Sequence, residues 1–379
     1  MKALIVTQRF PWPPHTGDRL RATTWLSALG TGWEITLIAP DGRVPAGVPL
    51  FRFQRATWSL LGCLRGTLAV IGGRVPLQCL LAAPYNWRGA IARARREAGR
   101  FDVTVILLSR MHPWVREALE GRTILDAIDS LRRNAEERRR ASGWATRWLW
   151  GIEERRMTRL ECEETSAYER VVVVSEEETC EFGRSVAVAV PVGVPVAPLG
   201  VAPRTFDFGF WGRLPYFANA DAVNWLLEEI WPAIRALRPQ ATLVIGGAGA
   251  PRSLRAEARR QGVTLVSPID DIASFGRDIR VALMPLRYGS GQSTKVLEAA
   301  EAGCAIVGTP EAMRGLAPIA ALARIETSAP AFARAAVELF DDDRREHIVT
   351  QLREVVDARY SRSATLLRLA AIARAAGDR

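Results

Sequence analysis

The chain has 379 residues, of which 48% are hydrophobic and 24% charged, a globular composition that excludes disordered, collagen-like and coiled-coil proteins. Its 51 basic residues against 41 acidic ones give a net charge of +10, yet only Lys2 and Lys295 are lysine. Where nearly every cation is arginine, an internal lysine indicates a required point charge, so Lys295 is a candidate functional residue.

The cysteines and histidines give no sign of a metal site. Five scattered cysteines form no C-x-x-C pair, and three histidines complete no ligand spacing. We therefore expect a reduced, cytoplasmic protein without structural metal. The apolar run over residues 1–7 stops at Gln8 and Arg9 without a cleavage site, so we interpret it as a buried strand rather than a signal peptide.

Short β-branched runs alternate with longer helical patterns, which is typical of parallel-sheet α/β domains. Because the runs are apolar almost throughout, we expect strands buried on both faces. In the first half the predicted strands are residues 3–7, 34–39, 103–108, 123–128 and 170–175.

A proline-rich stretch over 186–205 divides the chain. Four prolines lie between Pro191 and Pro203, which excludes helix interior and predicts an extended linker. The alternation then restarts, with predicted strands at 206–211, 241–247, 263–267, 281–286 and 304–309 and helices near 218–238, 251–261, 293–303 and 343–377.

The predicted organisation is an N-terminal Rossmann-like domain over 1–190, a linker over 191–205 and a C-terminal Rossmann-like domain over 206–350. A helical end over 351–379 returns to the N-terminal domain. The expected fold class is therefore two facing doubly wound α/β domains with a ligand in the cleft between them.

Two stretches are candidates for lying on a membrane surface. Residues 51–83 are rich in Phe, Trp, Leu and Ile with interspersed arginines, and residues 131–160 combine an arginine run with three tryptophans. Basic-aromatic helices of this kind bind anionic lipid interfaces. The alternative is two helices packed on a sheet with solvated arginines outside. No stretch approaches the ~18–20 apolar residues that a membrane span needs.

The segment 285–303 carries the strongest chemical pattern. A predicted strand ends at Leu286, a glycine loop follows, and a helix opens near Ser293. N–H groups at a helix start hold phosphate, and Lys295 in the first turn reaches the same anion. Glu298, three residues further, is placed to accept hydrogen bonds from sugar hydroxyls. The alternative is a glycine turn and a helix with an ordinary Lys–Glu pair.

The segment 208–225 repeats this strand-to-loop arrangement. The predicted strand runs into Gly212 and Arg213, and Asn219 or Asp221 can cap the helix that follows. An arginine just beyond a strand end lies at the usual ligand crevice of a doubly wound domain and can form a forked contact with phosphate. The alternative is that Arg213 is one loop arginine among many.

The segment 9–21 follows the first strand. Its prolines stiffen a loop, Gly17 permits close backbone approach, and a helix begins near Asp18 or Arg19. These features can present amides to an anion from the N-terminal domain. His15 is a candidate base or a bystander in the loop.

The segment 124–139 ends a strand with two carboxylates. Asp126 and Asp129 lie where catalytic groups of such domains usually sit, and either Ser130 or Asp129 can cap the next helix. The glycine-rich residues 246–251 follow another strand and also suit the crevice. They are not G-x-G-x-x-G, so a nicotinamide cofactor is poorly supported.

Taken together, these residues resemble the retaining glycosyltransferases of family four, which have the GT-B fold. The resemblance covers nearly the whole chain and is strongest over 206–316. There G-R-L, I-G-G, D-D-I and GSGQSTKVLEA precede IVGTPEAMRGL. The sequence is particularly similar to sugar transferases of exopolysaccharide clusters, which implies a role in polysaccharide biosynthesis.

The resemblance implies roles for individual residues. Arg213 and Lys295 would bind the diphosphate, Glu298 the ribose hydroxyls, and loop 266–271 the nucleobase, while Gly17 would close over the donor from the N-terminal domain. The implied donor-binding residues are Gly17, Gly212, Arg213, Gly289, Ser290, Gly291, Gln292, Ser293, Thr294, Lys295 and Glu298.

Two positions depart from the family pattern. Ser290 stands where the family often has the first of two glutamates, and Ile128 stands at the histidine of a frequent V-H-D. Asp129 would take over that histidine's contact with sugar or acceptor. The implied catalytic residues are Asp129, Arg213 and Lys295, and the candidates for acceptor contact are His15, Arg21, His112 and Asp126.

The implied activity is transfer of a sugar from a UDP- or GDP-linked donor to a glycan, lipid-linked or small-molecule acceptor, with retention and without metal or cofactor. The leaving diphosphate itself would receive the acceptor proton. A silent nucleotide-sugar or glycan binder and a nucleotide-sugar epimerase are the alternatives. Nucleic-acid binding is not supported, because no recognition motif accompanies the charge. An anionic membrane surface or a phosphorylated lipid carrier explains the basic excess equally well. The protein is expected in the cytoplasm or peripherally on the membrane's inner face.

Overall fold

The computed structural model describes residues 1–14, 16–45, 48, 51–182, 187–198, 204–289 and 291–375. It divides into two compact units. Unit 1 comprises Met1–Val192 with Thr365–Arg379, and unit 2 comprises Gly193–Ala364. Among the described residues, no helix is long and apolar enough to cross a bilayer.

Unit 1 is built on a seven-stranded sheet in the order β3-β2-β1-β4-β5-β6-β7, in which every pairing is parallel. Parallel neighbours need crossover connections, and helices supply most of them here. The strands are Lys2–Val6 (β1), Glu34–Ala39 (β2), Arg52–Arg55 (β3), Val103–Leu107 (β4), Thr123–Ile128 (β5), Arg170–Val173 (β6) and Ala187–Ala189 (β7). The helices are Gly17–Leu29 (α1), Leu60–Ile71 (α2), Trp87–Ala98 (α3), His112–Val115 (α4), Leu131–Ala141 (α5) and Trp144–Cys162 (α6).

Alternate residues of the central strands enter two separate cores, one on each face of this sheet. In β1, Leu4 and Val6 pack with α3, whereas Ala3 and Ile5 pack with α1. A period of two in an all-apolar strand produces this division. The prediction of strands buried on both faces is therefore confirmed.

Unit 2 is built on a six-stranded parallel sheet in the order β10-β9-β8-β11-β12-β13. The buried apolar residues of its strands and helices form one hydrophobic core. Its strands are Phe206–Trp211 (β8), Leu243–Gly246 (β9), Thr264–Val266 (β10), Ile279–Met284 (β11), Ala305–Gly308 (β12) and Arg324–Ile325 (β13). Its helices are Phe217–Trp225 (α7), Trp231–Leu237 (α8), Arg252–Arg260 (α9), Ile272–Arg277 (α10), Thr294–Glu301 (α11), Ala317–Ala320 (α12), Ala329–Asp341 (α13) and Arg345–Val355 (α14). The last helix of the chain is Arg362–Ala375 (α15).

The long predicted helices are interrupted. The helix predicted over 218–238 consists of α7 and α8 joined by a π-helical turn, and α14 continues into a second π-helical turn before α15 begins. The helical part of 131–160 is two helices, α5 and α6, because the chain turns at Ser142 and Gly143.

The proline-rich stretch is largely fixed by hydrogen bonds. Its beginning forms β7, where an extended linker was predicted, and Val194 is bonded on both sides to the chain around Ser361. The Pro191 carbonyl accepts a hydrogen bond from Thr365 (3.2 Å), at the point where α15 enters unit 1. Residues 199–203 of the predicted linker lie outside the described residues.

Candidate functional site

The candidate site in unit 2 starts at the loop after β8. This loop is bonded to the loop after β9: the Gly212 N–H donates to the Gly246 carbonyl (3.1 Å), and the Leu214 N–H donates to the Ala248 carbonyl (3.2 Å). A Cβ on Gly247 would lie 1.8 Å from the Gly212 oxygen. Glycine at 247 is therefore needed for the close approach, and the glycine-rich motif supports the β8 loop.

Lys295, near the start of α11, lies beside the β8 loop. Its Nζ donates to the Asn219 Oδ1 (2.8 Å), and the Asn219 Nδ2 donates to the Arg213 carbonyl (2.8 Å). A Cβ on Gly212 would lie 2.8 Å from the Asn219 Nδ2 and 3.1 Å from the Lys295 Cε. Gly212 thus leaves the space in which the lysine meets the loop, and Asn219 holds the two together.

The surroundings of Lys295 depress its basicity. Its side chain is partly buried, and Nζ lies 5.8 Å from the centre of the Phe210 ring. Burial lowers the pKa of Lys295 to about 8, while the Glu298 carboxylate acts in the opposite direction. The ammonium is therefore protonated at neutral pH but incompletely solvated, which favours an anion as its ligand.

Glu298 lies three residues after Lys295 on α11. Its Oε2 accepts a hydrogen bond from the Trp211 Nε1 (2.8 Å), which fixes the carboxylate next to the end of β8. Burial raises the pKa of Glu298, and the Trp211 N–H and the Lys295 charge oppose that rise. The lysine and the carboxylate thus form an adjacent donor and acceptor on one face of the helix.

The glycine loop before α11 is held by Arg314, whose Nη1 donates to the Gly289 carbonyl (2.7 Å). Gly291 has a φ of 75°, in the left-handed region that favours glycine. Ser293 immediately precedes the helix, and its buried Oγ has no hydrogen-bond partner among the described residues. A buried hydroxyl in this position is suited to contact a ligand.

The remaining predicted donor residues of unit 2 lie around the same loops. Arg213 is exposed, and its guanidinium has no ion-pair partner in the described part of the chain. Gln292 and Thr294 are partly buried beside Ser293, whereas the predicted contact at Ser290 lies outside the described residues.

The alternative caps predicted for the helix after β8 are wrong. The helix α7 begins at Phe217, so Asn219 lies inside its first turn and instead bonds Lys295 and the Arg213 carbonyl. Asp221 accepts two hydrogen bonds from Arg287 (2.7 and 2.9 Å).

The loop 266–271, to which the resemblance assigns a nucleobase contact, ends in a helix cap. Asp271 accepts hydrogen bonds from the N–H groups of Ala273 (3.1 Å) and Ser274 (3.3 Å), at the start of α10. The cap fixes the end of the loop, because Asp271 accepts hydrogen bonds from N–H groups that have no acceptor within the helix.

In unit 1, the predicted acceptor residues Arg21 and Asp126 form a buried ion pair. The Arg21 Nε donates to the Asp126 Oδ2 (2.6 Å), and the same oxygen accepts from the Trp25 Nε1 (2.6 Å). Both charged side chains are at most 1% exposed. The pair ties α1 to β5, and contact with an acceptor would require this packing to open.

Asp129 follows β5 at an irregular strand end. The preceding Ile128 has a φ of 67°, and Leu108 after β4 has a φ of 76°, an uncommon conformation for branched residues that is associated with functional sites. Asp129 is partly exposed. Burial and the nearby Asp129 charge raise the pKa of Glu178 to about 8.

Ser130 caps α5, which settles one predicted alternative. Its Oγ accepts a hydrogen bond from the Arg133 N–H (3.2 Å), so Asp129 is not needed for that role. The Asp129 charge raises the pKa of the buried Glu178 and opposes the lowering of the Arg110 pKa by burial.

The remaining predicted residues of unit 1 are His112, Gly17 and His15. His112 is buried with its Nδ1 3.0 Å from the Tyr168 hydroxyl, and burial lowers the pKa of His112 to about 4. Gly17 is exposed at the start of α1, and a Cβ there would meet no described atom within 4 Å. His15 lies outside the described residues.

Part of this chain matches a known family, and its fold matches solved structures. Residues 205–342 match the family described as "Glycosyl transferases group 1". No match was found among curated proteins. The solved structure of sucrose-phosphate synthase from Thermosynechococcus elongatus is similar with a TM-score of 0.72 and 16% identity, over 99% of this chain and 98% of that one.

Two further solved structures have the same fold over their full lengths. WaaG, a glycosyltransferase involved in lipopolysaccharide biosynthesis, is 14% identical with a TM-score of 0.67, over 98% of this chain and 99% of that one. Anabaena Alr3699/HepE in complex with UDP-glucose is 14% identical with a TM-score of 0.65, over 99% and 100%. The fold of this chain is therefore the GT-B fold, as predicted.

Proposed function

We propose, from the match of residues 205–342 to the group 1 glycosyl transferases, that this chain transfers a sugar from a nucleotide diphosphate sugar to an acceptor. One observation carries the proposal: Lys295, Glu298 and the β8 loop meet through Asn219 and Trp211 at the carboxyl ends of β8 and β11. Ligands of open α/β sheets bind at this edge. Solved structures of the same fold hold UDP or UDP-glucose, which supports a UDP-linked donor; GDP is the alternative.

The donor diphosphate is assigned to Lys295 and Arg213. The poorly solvated Lys295 ammonium gains a counter-charge when phosphate binds, and the exposed Arg213 guanidinium is free to fork onto phosphate oxygens. The N–H groups of the first turn of α11 add further donors. Glu298, held by Trp211, is assigned to the ribose hydroxyls, and Ser293 contributes its buried hydroxyl.

The chemistry proposed is a retaining front-face reaction. As the bond between the sugar and the diphosphate breaks, negative charge develops on the leaving phosphate, and Lys295 and Arg213 stabilise it. The leaving diphosphate takes the acceptor's proton, so the protein contributes positioning and charge rather than a general base. Two side-chain cations supply the stabilisation that a divalent ion would otherwise give, and transfer is proposed to be independent of metal.

Unit 1 is assigned to the acceptor. Asp129 is proposed to contact the sugar or the acceptor in place of the family histidine represented here by Ile128. Gly17, which has open space around its α-carbon, is proposed to approach the donor. The acceptor class is a glycan, a lipid-linked sugar or a small molecule, with polysaccharide synthesis as the proposed process.

The test begins with a thermal-shift screen against UDP- and GDP-sugars, because a ligand at about a hundred times its Kd stabilises the protein by about 2.7 kcal/mol. Release of the nucleotide diphosphate is then followed with candidate acceptors. Lys295→Met should reduce turnover roughly ten- to a thousandfold, and Lys2→Met, at the other lysine of the chain, should leave it nearly unchanged.

The outcomes separate the alternatives. If the chain binds a nucleotide sugar but transfers the sugar neither to an acceptor nor to water, so that no nucleotide diphosphate is released, it is a silent binder. Conversion of the donor sugar without an acceptor would indicate an epimerase. The anomeric configuration of the product tests retention, and assays with and without a chelator test metal independence.

A further inference from the structure

We propose that a surface of unit 1 formed by α2 and the beginning of α6 docks onto an anionic lipid bilayer. This inference is independent of sugar transfer, because it rests on residues outside the donor site. The surface, called the α2–α6 surface below, is defined by its exposed apolar residues: Trp58, Leu60, Leu61, Leu64, Leu68, Ile71, Leu77, Leu81, Trp144 and Trp148.

Helix α2 has its leucines directed outward. Leu60, Leu64, Leu68 and Ile71 are 62%, 56%, 68% and 76% exposed, and their spacing of four, four and three residues places them along one helical stripe. Among the residues of α2, only Gly66 is buried. A helix on a protein surface in water normally has the reverse polarity.

The orientation of α2 is fixed by its glycines. A Cβ on Gly62 would lie 2.5 Å from the Ala83 oxygen, and one on Gly66 would lie 2.4 Å from the Ala83 Cβ. At about 100° per residue these two glycines lie roughly opposite the leucine stripe. The backbone of α2 therefore sits directly on residue 83, and turning the leucines inward would place large side chains where no space exists.

The beginning of α6 contributes exposed tryptophan to the proposed surface. Trp144 and Trp148 are 91% and 64% exposed in its first two turns. The Arg156 Nη1, in the second half of α6, donates to the Val70 carbonyl at the end of α2 (2.9 Å), so this part of α6 lies beside the end of α2. Tryptophan at the edge of such a surface suits the boundary between headgroups and acyl chains.

Along the chain, the two segments that carry these residues are basic. No aspartate or glutamate occurs between Asp41 and Glu97 or between Glu137 and Glu153. Glu153 is 2% exposed and accepts hydrogen bonds from the backbone after α2, and Glu154 pairs with Arg139.

Three exposed arginines complete the surface. Arg65 lies within α2, Arg74 just beyond it, and Arg147 between the two tryptophans of α6. Exposed apolar side chains with arginines among them complement a bilayer whose acyl region accepts the leucines and whose anionic headgroups bind the guanidinium groups. A protein partner would need carboxylates at positions that match these arginines. An anionic lipid surface needs no such match, because its headgroup phosphates form a continuous layer.

Vesicle co-sedimentation of the full chain tests the proposal. Vesicles of phosphatidylcholine with about 30% phosphatidylglycerol are compared with phosphatidylcholine alone, at about 0.05 M and about 0.5 M salt. We expect binding to the anionic vesicles that falls at high salt, and at least tenfold weaker binding to the neutral ones.

Two variants and their matched controls assign the binding to this surface. Leu64→Gln with Leu68→Gln should reduce binding at least tenfold, whereas Leu367→Gln, at a leucine 73% exposed on α15, should not. Replacing the three arginines of the surface by Gln should reduce binding by about fivefold per arginine. The same change at the exposed Arg252, Arg255 and Arg259 of α9 should have no such effect. Thermal melting verifies that each variant is folded.

Three results would overturn the proposal. They are equal binding to neutral and anionic vesicles, loss of binding in the α9 control as large as in the surface variant, and absence of binding to any vesicle. Sedimentation equilibrium without lipid tests whether a second copy of the chain covers the surface instead. A dimer that dissociates when Leu64→Gln and Leu68→Gln are introduced would show that it does.

Discussion

Lys295 shows how a single residue acquires a role from its neighbours. Its spacing to Glu298 was readable along the chain, but its partner Asn219 comes from the helix that follows β8, and Trp211 at the end of β8 bonds Glu298. Gly212 matters for the same reason, since any side chain there would displace the lysine. Nothing local to Asn219 distinguishes it from a helix cap, so only the folded arrangement identifies it as the partner of the lysine.

The lowered pKa of Lys295 predicts that donor affinity depends on pH. Burial brings this pKa to about 8, and a bound diphosphate favours the ammonium form. Above pH 8 the free protein loses the proton that the complex needs, so UDP affinity should fall by up to about tenfold per pH unit. Calorimetric titration with UDP from about pH 7 to about pH 9.5 measures this.

The control for this dependence is Lys295→Met, which should bind UDP more weakly and with little change over the same interval. A wild-type affinity that stays constant up to pH 9.5, well above the pKa of about 8, would contradict a diphosphate contact by this lysine.

The Arg21–Asp126 pair predicts a structural effect where the sequence suggested acceptor binding. Asp126→Ala leaves a buried guanidinium and the Trp25 N–H without their acceptor, and should lower the free energy of unfolding by about 3–5 kcal/mol. Urea denaturation measures the loss. Asp41→Ala, in an exposed pair with Arg55, should cost less than about 1 kcal/mol. Unchanged stability with a raised acceptor KM would instead support direct acceptor contact by Asp126.

At the scale of elements, the start of α5 depends on a distant carboxylate. Glu161 of α6 is fully buried and accepts hydrogen bonds from the N–H groups of Leu131 (2.9 Å) and Arg132 (3.1 Å). It also accepts from the hydroxyls of Ser109 and Ser130. One side chain thus occupies orphan donors of the helix and fixes the end of β5 from which Asp129 projects.

Glu161→Ala should therefore destabilise the chain strongly. The N–H groups of Leu131 and Arg132 lose their acceptor at about 1–3 kcal/mol each, so a loss of about 2–6 kcal/mol in the free energy of unfolding is expected from denaturant titration. The matched change Glu120→Ala removes an exposed partner of Arg95 and should have a small effect. Equal losses in the two variants would rule out the buried capping role.

The predicted strands and the structure differ mainly at the sheet edges. All ten predicted strands are present within one or two residues, because a strand buried on both faces is marked by a continuous apolar run. The strands missed are β3, β7 and β13, which are short and lie at edges. The position of an edge strand depends on the strand that it pairs with. The sequences of β3 (RFQR) and β13 (RI) contain too few apolar residues to predict a strand by themselves.

At the scale of the whole molecule, the proposed functions are distributed between the units. The donor residues with described contacts belong to unit 2, while the α2–α6 surface and Asp129 belong to unit 1. Membrane docking and donor binding should therefore be separable by mutation.

Hydrogen exchange with and without UDP tests this distribution. We expect slower exchange for backbone amides around Gly212 and in the first turn of α11, because the ligand would occupy those donors. Strand β1 of unit 1 provides the internal control and should be unaffected. Slower exchange around Gly17 would in addition support contact between the donor and the start of α1. Protection confined to unit 1 would contradict the donor assignment.

The sequence by itself determined the two doubly wound units, the central strands and the glycine turn that precedes Lys295, because these depend on local periodicity, glycine placement and helix starts. The tertiary structure alone decided the partners of that lysine, the burial of the Arg21–Asp126 pair and the outward leucines of α2. Each of these depends on residues far apart in the chain. In α2 the decisive fact is a close glycine contact with Ala83, which no pattern within the helix could reveal.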